Sequence, residues 1–191
     1  MTVHIQQDSK HTSYETLHPY KSYPNLEIRL ACVEDGIDNT GFRKISAYIK
    51  SVHPNTKVAY IPTGSYRSLI GYMKEKDGVN FKDIDIHKVA QFMAKGDIAA
   101  FSSMTQSAAT VYKIIADIRH INPHSFIIWG GIHAIIQPED AIKHADVVCT
   151  GEGEFAFKTF LELFKNGKDY TTAPSFWFNK EENIIKNRNL S

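Results

Sequence analysis

The sequence predicts a doubly wound α/β fold, with a mostly parallel five-stranded sheet followed by a β-hairpin near the carboxyl terminus. Five short apolar runs alternate with segments whose apolar residues recur at helical spacing, a pattern typical of βαβ units. The runs at 126–129 and 146–149 are almost continuously apolar, as in strands buried on both faces. Glycines follow both runs closely, as expected where strands end at a ligand site.

Each element follows from this periodicity. The predicted strands span residues 26–33, 57–61, 97–101, 126–129 and 146–149, and the predicted helices span 41–52, 86–94, 108–121, 138–144 and 155–164. Pro62 and Pro123 end a strand and a helix, respectively. Residues 65–85 carry two glycines and many charges, which indicates an irregular or partly helical excursion. Apolar residues at 176–178 and 184–185 flank a polar turn, so a hairpin there either joins the sheet edge or packs beside it.

Composition favours one main domain with appendages. The chain has 191 residues, of which 42% are hydrophobic, enough for one well-buried core. We expect a polar arm at 1–25, an α/β domain at 26–172, and a hairpin and linker at 173–191. The chain stops soon after the hairpin without a capping element, so we expect it to be part of a longer protein with a further carboxyl-terminal domain.

Charge and residue usage argue against several classes of protein. The 22 basic and 21 acidic residues give a net charge of +1, so nucleic acid and anionic membranes are not expected partners. Neither a signal peptide nor an apolar stretch of ~20 residues is present, which predicts a cytoplasmic protein. Cys32 and Cys149 sit in apolar runs and far apart, so we expect buried structural thiols. The histidines lack metal-ligand spacing, and no metal site is predicted.

Two glycine-bearing segments, 130–133 (Gly-Gly-Ile-His) and 151–154 (Gly-Glu-Gly-Glu), each follow a predicted strand. In an open parallel sheet, ligands lie outside the carboxyl ends of the strands, where glycine lets the backbone approach a phosphate or a ring. One ligand spanning neighbouring strand ends would therefore meet both segments.

A wider set of motifs resembles a known family. The set comprises Ser102-Ser103-Met104-Thr105 after a strand, the Asn122-Pro123 break, Ile127-Ile128-Trp129-Gly130-Gly131-Ile132-His133-Ala134, Pro138-Glu139, Asp146-Val147-Val148-Cys149-Thr150-Gly151-Glu152-Gly153-Glu154, and a closing hairpin ending at Asn187. Over residues 26–187, their order and spacing resemble the cobalamin (vitamin B12)-binding domain that precedes radical S-adenosylmethionine domains. The resemblance implies a flavodoxin-like or Rossmann-like fold that holds a corrinoid across the carboxyl edge of its sheet.

The resemblance also implies a set of cofactor-binding residues. They are Asp35, Gly36, Ile37, Asp38, Asn39, Gly41, Ser102, Ser103, Met104, Thr105, Gly130, Gly131, His133, Gly151, Glu152, Gly153 and Glu154. Many cobalamin domains carry an Asp-x-His-x-x-Gly loop whose histidine ligates cobalt, but Ile37 stands where that histidine is expected. Cobalamin is therefore expected base-off, without a histidine from the loop. A bulky residue at Gly131 is expected to abolish binding without unfolding the domain.

Several of these residues have structural alternatives. Ser102 and Ser103 could cap the following helix, and Glu152 and Glu154 could be residues of a helix start that favour its macrodipole. His133 could cap a helix or pair with a carboxylate instead of touching a ligand.

The implied function is that of a cobalamin-binding module in a B12-dependent radical S-adenosylmethionine enzyme, a methyltransferase or related Fe–S oxidoreductase. The parent protein is expected to hold a [4Fe–4S] cluster and S-adenosylmethionine in a carboxyl-terminal domain, since this chain has no Cys-x-x-x-Cys-x-x-Cys motif and no predicted catalytic residue. Two alternatives remain: a flavodoxin-like regulatory or interaction domain, and a degenerate family member that binds no corrinoid.

Overall fold

The computed structural model describes residues 22–34, 39–63, 85–180 and 183–189. Its strands are β1 (Ile28–Val33), β2 (Thr56–Ile61), β3 (Ile98–Ser103), β4 (Phe126–Gly130), β5 (Val147–Cys149), β6 (Phe176–Lys180) and β7 (Asn183–Lys186). Its α-helices are α1 (Thr40–Val52), α2 (Ile86–Met93), α3 (Ala108–Ile121), α4 (Ile132–Ile136), α5 (Pro138–Ala141) and α6 (Gly153–Lys165). Short 3₁₀ turns lie at Thr105–Ser107 and Tyr170–Thr172. The predicted arm at 1–25 and excursion at 65–85 fall almost entirely outside the described residues.

The described strands form one sheet in the order β2-β1-β3-β4-β5-β6-β7. The first five are parallel, whereas β6 pairs antiparallel with β5, and β7 with β6. The predicted doubly wound, mostly parallel sheet is confirmed, and the hairpin extends its edge. The order 2-1-3-4-5 is that of flavodoxin-like folds, in which the chain reverses its winding direction between β1 and β3.

Each face of the sheet carries its own hydrophobic core. On one face, α1 and α6 cover the sheet with aromatic and aliphatic side chains such as Phe42, Ile49, Phe160 and Phe164. On the other face, the helices between β2 and β5 pack over Trp129 and its neighbours. The sequence alternation thus becomes a three-layer structure, because strands with two apolar faces need a helix layer on each side.

Two predicted boundaries are corrected by the structure. β3 continues through Ser102 and Ser103, because both residues extend the parallel ladder opposite Cys32 and Val33 of β1. The helix predicted at 138–144 is shorter and becomes α5 (Pro138–Ala141), and a further short helix that the sequence did not predict, α4 (Ile132–Ile136), precedes it. They are separated by Gln137, whose φ of −130° is non-helical, as favoured for a residue before proline. No helix among the described residues is long and apolar enough to cross a membrane.

Candidate functional site

A cavity of about 400 Å³ opens at the carboxyl edge of the sheet. Its floor is formed by the ends of β1, β3, β4 and β5, and its walls come from the first turns of α1 and α6. The volume lies within the range typical of small-molecule sites. The cavity also lies at the β1/β3 switch point, where open α/β sheets bind their ligands.

The lower part of the cavity is apolar. Leu30, Ala100 and Ile128 stand side by side on three neighbouring strands and face α1 and α6. Ile49 and Phe157 approach from the helices and also line the cavity. The small Ala100 between two larger side chains leaves room for an inserted group, and this level offers an apolar surface for it.

Above this level, a row of small residues crosses the sheet. Cys32, Ser102 and Gly130 are aligned on β1, β3 and β4, two residues or about 6.6 Å nearer the edge than the apolar row. Cys149 of β5 lies next to Gly130 and lines the cavity with it. Because none of these side chains is large, the sheet surface stays open between the edge and the apolar level.

The two adjacent glycines have different roles. At Gly130 a Cβ would make an ordinary contact of 3.6 Å with the Cβ of Cys149, so the fold itself tolerates a side chain there. Gly131 has φ +86° and ψ −174°, a region essentially reserved for glycine, and a Cβ would lie 2.8 Å from the amide of Ser103. The expectation that a bulky residue at Gly131 would spare the fold is therefore corrected. A substitution at Gly130, by contrast, should alter the cavity without straining the backbone.

One side of the cavity mouth is polar. The side-chain oxygen of Asn39 accepts the amide of Phe42 at 2.7 Å, which caps α1, and its amide group donates to the carboxylate of Glu34. Asn39 therefore has a structural function and also holds Glu34 at the mouth, which both residues line.

At the other side, α6 begins with Gly153 directly after Glu152, and both line the mouth. The carboxylate of Glu154 forms an ion pair of 2.8 Å with Lys44 of α1, and the hydrogen bond from Lys44 lowers the pKa of Glu154. A Cβ on Gly153 would come within 2.4 Å of the Cδ1 of Ile45. The starts of α1 and α6 therefore meet closely over the cavity.

Three apolar side chains form a lip beside this mouth. Met104 follows β3, and Ile132 and Ile135 belong to α4. All three line the cavity although they are 38%, 47% and 47% exposed. Large exposed hydrophobic residues that gather at a cavity mouth are typical of a binding surface.

Cys149 contributes a buried thiol to the wall of the cavity. Burial raises the pKa of this thiol to about 11, and its Sγ donates to the carbonyl of Gly151 at 3.6 Å. The thiol is therefore neutral and serves as a small apolar lining group. Cys32 is likewise buried, and burial raises its pKa to about 12.

His133 does not line the cavity. Its ring is buried on the opposite face of the sheet, 4.9 Å from the ring of Trp129 between centroids. Its Nε2 lies 3.3 Å from the hydroxyl of Tyr112 and 3.6 Å from the carboxylate of Asp140, to which Tyr112 donates. Burial lowers the pKa of His133. The structure thus places His133 beside the Tyr112–Asp140 pair on the face opposite the cavity.

Ser103 and Thr105 are also displaced from their predicted roles. The hydroxyl of Ser103 accepts the indole N–H of Trp129 at 3.0 Å, although the residue also lines the cavity. Thr105 starts a 3₁₀ turn and does not line the cavity. The hydroxyls of Ser102 and Thr105 make no hydrogen bond among the described contacts, and of these two residues only Ser102 lines the cavity.

The structure brings most of the other predicted residues together around one cavity. Those that line it are Asn39, Gly41, Ser102, Ser103, Met104, Gly130, Gly131, Gly151, Glu152, Gly153 and Glu154. Asp35, Gly36, Ile37 and Asp38 lie outside the described residues.

Sequence reasoning missed the apolar lining and one carboxylate. These residues are Leu30, Glu34, Phe42, Ile45, Ile49, Ala100, Phe101, Ile128, Ile132, Ile135, Cys149 and Phe157. In the sequence the apolar ones look like core positions, since a residue facing a cavity and a residue facing a neighbour have the same periodicity. The sequence offers no signal that marks Ala100, because Ala99 beside it is equally small and faces the opposite core.

Within the described ranges, no group of three or more His, Cys, Asp or Glu side chains could hold a metal ion. The cavity lining itself combines apolar and polar residues.

A family model described as "B12 binding domain" matches residues 58–161, more than half of the chain. The chain belongs to the B12-binding domain family. The matched segment includes β3, β4, β5 and the start of α6, which supply one side of the mouth and the small-residue row except Cys32 of β1.

Two curated proteins resemble part of this B12-binding domain. An uncharacterized methyltransferase of Pyrococcus horikoshii is 26% identical over 93 residues, which are 46% of this chain and 20% of that protein. Bacteriochlorophyllide d C-8(2)-methyltransferase of Chlorobaculum tepidum is 26% identical over 90 residues, 47% of this chain and 20% of that protein. The alignments thus span about a fifth of each relative.

Solved structures share the fold at low sequence identity. The radical S-adenosylmethionine methyltransferase TsrM from Kitasatospora setae, with cobalamin and a [4Fe–4S] cluster bound, matches with a TM-score of 0.62 and 12% identity, over 87% of this chain and 30% of that one. The cobalamin-dependent radical enzyme OxsB, with aqua-cobalamin and S-adenosylmethionine bound, gives a TM-score of 0.57 and 14% identity, over 86% and 22%. This B12-binding domain therefore has the architecture found within larger radical S-adenosylmethionine proteins.

Proposed function

We propose that this chain holds cobalamin across the carboxyl edge of its sheet, with the nucleotide tail of the cofactor in the cavity beneath α1 and α6. The observation that carries the proposal is the open slot at the switch point, in which small residues on neighbouring strands lead down to an apolar level. Membership in the B12-binding domain family supplies the class of ligand.

The residues present fit such a ligand. Nothing in the packing requires glycine at Gly130, so the space above it is available to a bound group. The apolar level around Ala100 suits an aromatic base, while the Ser102 hydroxyl and the backbone amides at the start of α6 offer donors to polar groups of the tail. The lip of Met104, Ile132 and Ile135 offers an apolar surface for one side of a flat ring.

The lining also supports base-off binding. Among the described residues, no histidine lines the cavity, and His133 is buried on the opposite face. A tail inserted into the slot keeps its base away from cobalt, and the described residues that line the cavity then provide no imidazole in its place. Bound cobalamin would supply a transferable methyl group or an electron, and the residues of this chain would bind and orient it.

The parent protein is proposed to be a longer B12-dependent radical S-adenosylmethionine methyltransferase. Both curated relatives are named methyltransferases, and this chain matches about a fifth of each. The structural neighbours are radical S-adenosylmethionine enzymes of which the chain covers 22–30%. A [4Fe–4S] cluster and S-adenosylmethionine would then belong to a domain that follows this chain.

The test is a titration of the purified chain with hydroxocobalamin, followed in the visible spectrum and by co-elution on gel filtration. We expect saturable binding with a base-off spectrum. Absence of both spectral change and co-elution at high micromolar cofactor would overturn the proposal and favour the degenerate-member alternative. A base-on spectrum with saturable binding would overturn only the base-off part.

A size series at position 130 connects binding to the cavity. Gly130→Ala adds one methyl group in ordinary contact distance and is expected to bind nearly as the natural chain does. Gly130→Leu places a branched side chain in the slot and is expected to abolish binding while thermal unfolding followed by circular dichroism stays close to that of Gly130→Ala. Equal affinity of both variants would contradict placement of the tail in this cavity.

A further inference from the structure

The loop that carries the Gly151–Glu154 side of the mouth is enclosed by a segment from the far end of the described chain. Thr150, the first residue after β5, is buried, and its amide donates to the carbonyl of Ser175 at 2.9 Å. A Cβ on Gly151 would lie 3.1 Å from the Oγ of Ser175 and 3.2 Å from the Cγ of Asn189. The loop is therefore in tight contact with residues well after it in the sequence.

Asn189 contacts this loop through both ends of its side-chain amide. Its Oδ1 accepts the hydroxyl of Thr150 at 3.0 Å, and its Nδ2 donates to the backbone carbonyl of Thr150 at 3.3 Å. A side chain that binds both the hydroxyl and the carbonyl of one residue fixes that residue's orientation. Gly151 and Glu152, which line the mouth, follow directly.

The position of Asn189 is set by the preceding residues. The carbonyl of Arg188 accepts the amide of Ser175 at 2.9 Å, and the amide of Asn187 donates to the carbonyl of Phe176 at 3.2 Å. Ser175 has φ +63°, a left-handed conformation that aims its amide at this segment. The chain after β7 therefore runs along the start of β6 and delivers Asn189 to the loop.

We propose that Asn189 is a positioning residue of the corrinoid site, which acts by holding Thr150 so that the 151–154 backbone keeps the shape that meets the cofactor. This inference rests on the proposed function. Asn189 is exposed at the chain surface apart from these contacts, and the backbone bond from Thr150 to Ser175 does not depend on it. Its loss is therefore expected to affect the loop more than the fold.

Asn187 provides a matched control two residues earlier. Its side-chain amide donates to the carbonyls of Thr171 at 2.7 Å and Ala173 at 2.8 Å, and none of these residues lines the cavity. Asn187→Ala and Asn189→Ala thus remove the same chemical group with a similar number of hydrogen bonds. Only the second change concerns the site.

The experiment measures hydroxocobalamin affinity, thermal stability and hydrogen exchange of the loop amides in both variants of the full chain. For Asn189→Ala we expect about 3–10-fold weaker binding, from the loss of two partly exposed hydrogen bonds, together with faster exchange at residues 150–154 without ligand. Asn189→Asp retains the acceptor for the Thr150 hydroxyl, so its affinity should lie between those of the natural chain and Asn189→Ala. Asn187→Ala should lower the melting temperature while affinity and loop exchange stay unchanged.

Natural affinity and loop exchange in Asn189→Ala would overturn the positioning role while leaving the proposed function intact, because the unchanged chain still binds. If Asn187→Ala and Asn189→Ala both lose stability and affinity to a similar extent, Asn189 has only an ordinary structural role. That outcome would also overturn the positioning role. If the unchanged chain does not bind hydroxocobalamin, the proposed function fails and this inference fails with it.

Discussion

The two edges of the sheet use polar residues in opposite ways. At the amino edge, carboxylates bind the chain's own backbone: Asp97 accepts the amide of Glu27 at 2.8 Å, and Asp146 accepts the amide of Ile127 at 2.7 Å. Arg119 of α3 also reaches Asp146 at 2.7 Å. These bonds join neighbouring strands and a helix, so the amino edge is closed by groups that satisfy one another.

At the carboxyl edge the same strands end in glycine, serine and cysteine around a cavity. Ser102, Glu34 and Glu152 line its mouth, and Gly130 leaves a space that the packing does not need. We therefore expect stability and binding to be separated along the strands. Substitutions at the amino edge should change the free energy of unfolding, and substitutions at the cavity should change affinity.

The largest effect is expected for Asp146→Ala at the amino edge. The change removes the carboxylate that Arg119 and the Ile127 amide share, and loss of one partner from such a partly buried pair lowers the free energy of unfolding by about 3 kcal/mol. Chemical unfolding measures it, and Asp85→Ala at an exposed helix start is the control, with a much smaller effect. A loss of corrinoid affinity in the folded Asp146→Ala chain would break the separation of the two edges.

The next largest effect is expected from two single substitutions at adjacent residues of β3, which are compared with each other. Ala100→Leu fills the apolar level of the cavity, so hydroxocobalamin should bind at least about 10-fold more weakly, a loss of about 1.4 kcal/mol or more, with little loss of stability. Ala99→Leu alters the adjacent residue on the fully packed face, where overpacking costs about 1–3 kcal/mol of stability. Titration should therefore show the larger loss of affinity in Ala100→Leu, and chemical unfolding should show the larger loss of stability in Ala99→Leu. Equal affinities in the two variants would contradict the placement of the tail.

A pH effect is expected from His53 at the amino edge. Its Nε2 donates to the carbonyl of Leu26 at 2.7 Å, and its Nδ1 faces the ammonium of Lys165 at 3.3 Å, so the neutral ring is required. Burial lowers the pKa of His53, and Lys165 lowers it further. In the unfolded chain His53 has its ordinary pKa of about 6.5, so below that pH the unfolded chain binds more protons than the folded chain. The stability that the neutral ring contributes above that pH is therefore lost as the pH falls, by up to about 1.4 kcal/mol per pH unit.

Chemical unfolding between about pH 7.5 and 5 measures this slope. Burial also lowers the pKa values of His133 and His144, so the slope in His53→Gln should decrease without vanishing. An unchanged slope in that variant would show that His53 does not contribute.

The smallest effect is expected for the ion pair at the cavity mouth. Lys44 is mostly exposed, and exposed pairs contribute little, so Lys44→Ala should leave the melting temperature unchanged and alter affinity by less than about twofold. Lys88→Ala, which removes another exposed pair far from the cavity, is the control. A larger change in affinity that disappears at high salt would show that Lys44 acts on the ligand and not only on Glu154.

The sequence was sufficient for the order of elements and for the family. Continuous apolar runs such as 126–129 predict buried parallel strands, and the glycines after them lie at the carboxyl edge of the sheet, where the cavity opens. It was not sufficient for the roles of His133 and Ser103. Both stand within the correct motifs, but their side chains turn to the face opposite the cavity, where Trp129 and Tyr112 bind them.

The sequence by itself determined the doubly wound sheet and membership in the B12-binding domain family, because local periodicity and motif spacing are properties of the linear chain. Only the tertiary structure decided which residues surround the cavity. The alignment of Ala100 with Leu30 and Ile128 depends on strand register, and the contact of Asn189 with Thr150 joins residues far apart in the chain. Such proximities come from packing, which brings together side chains whose spacing along the sequence carries no signal.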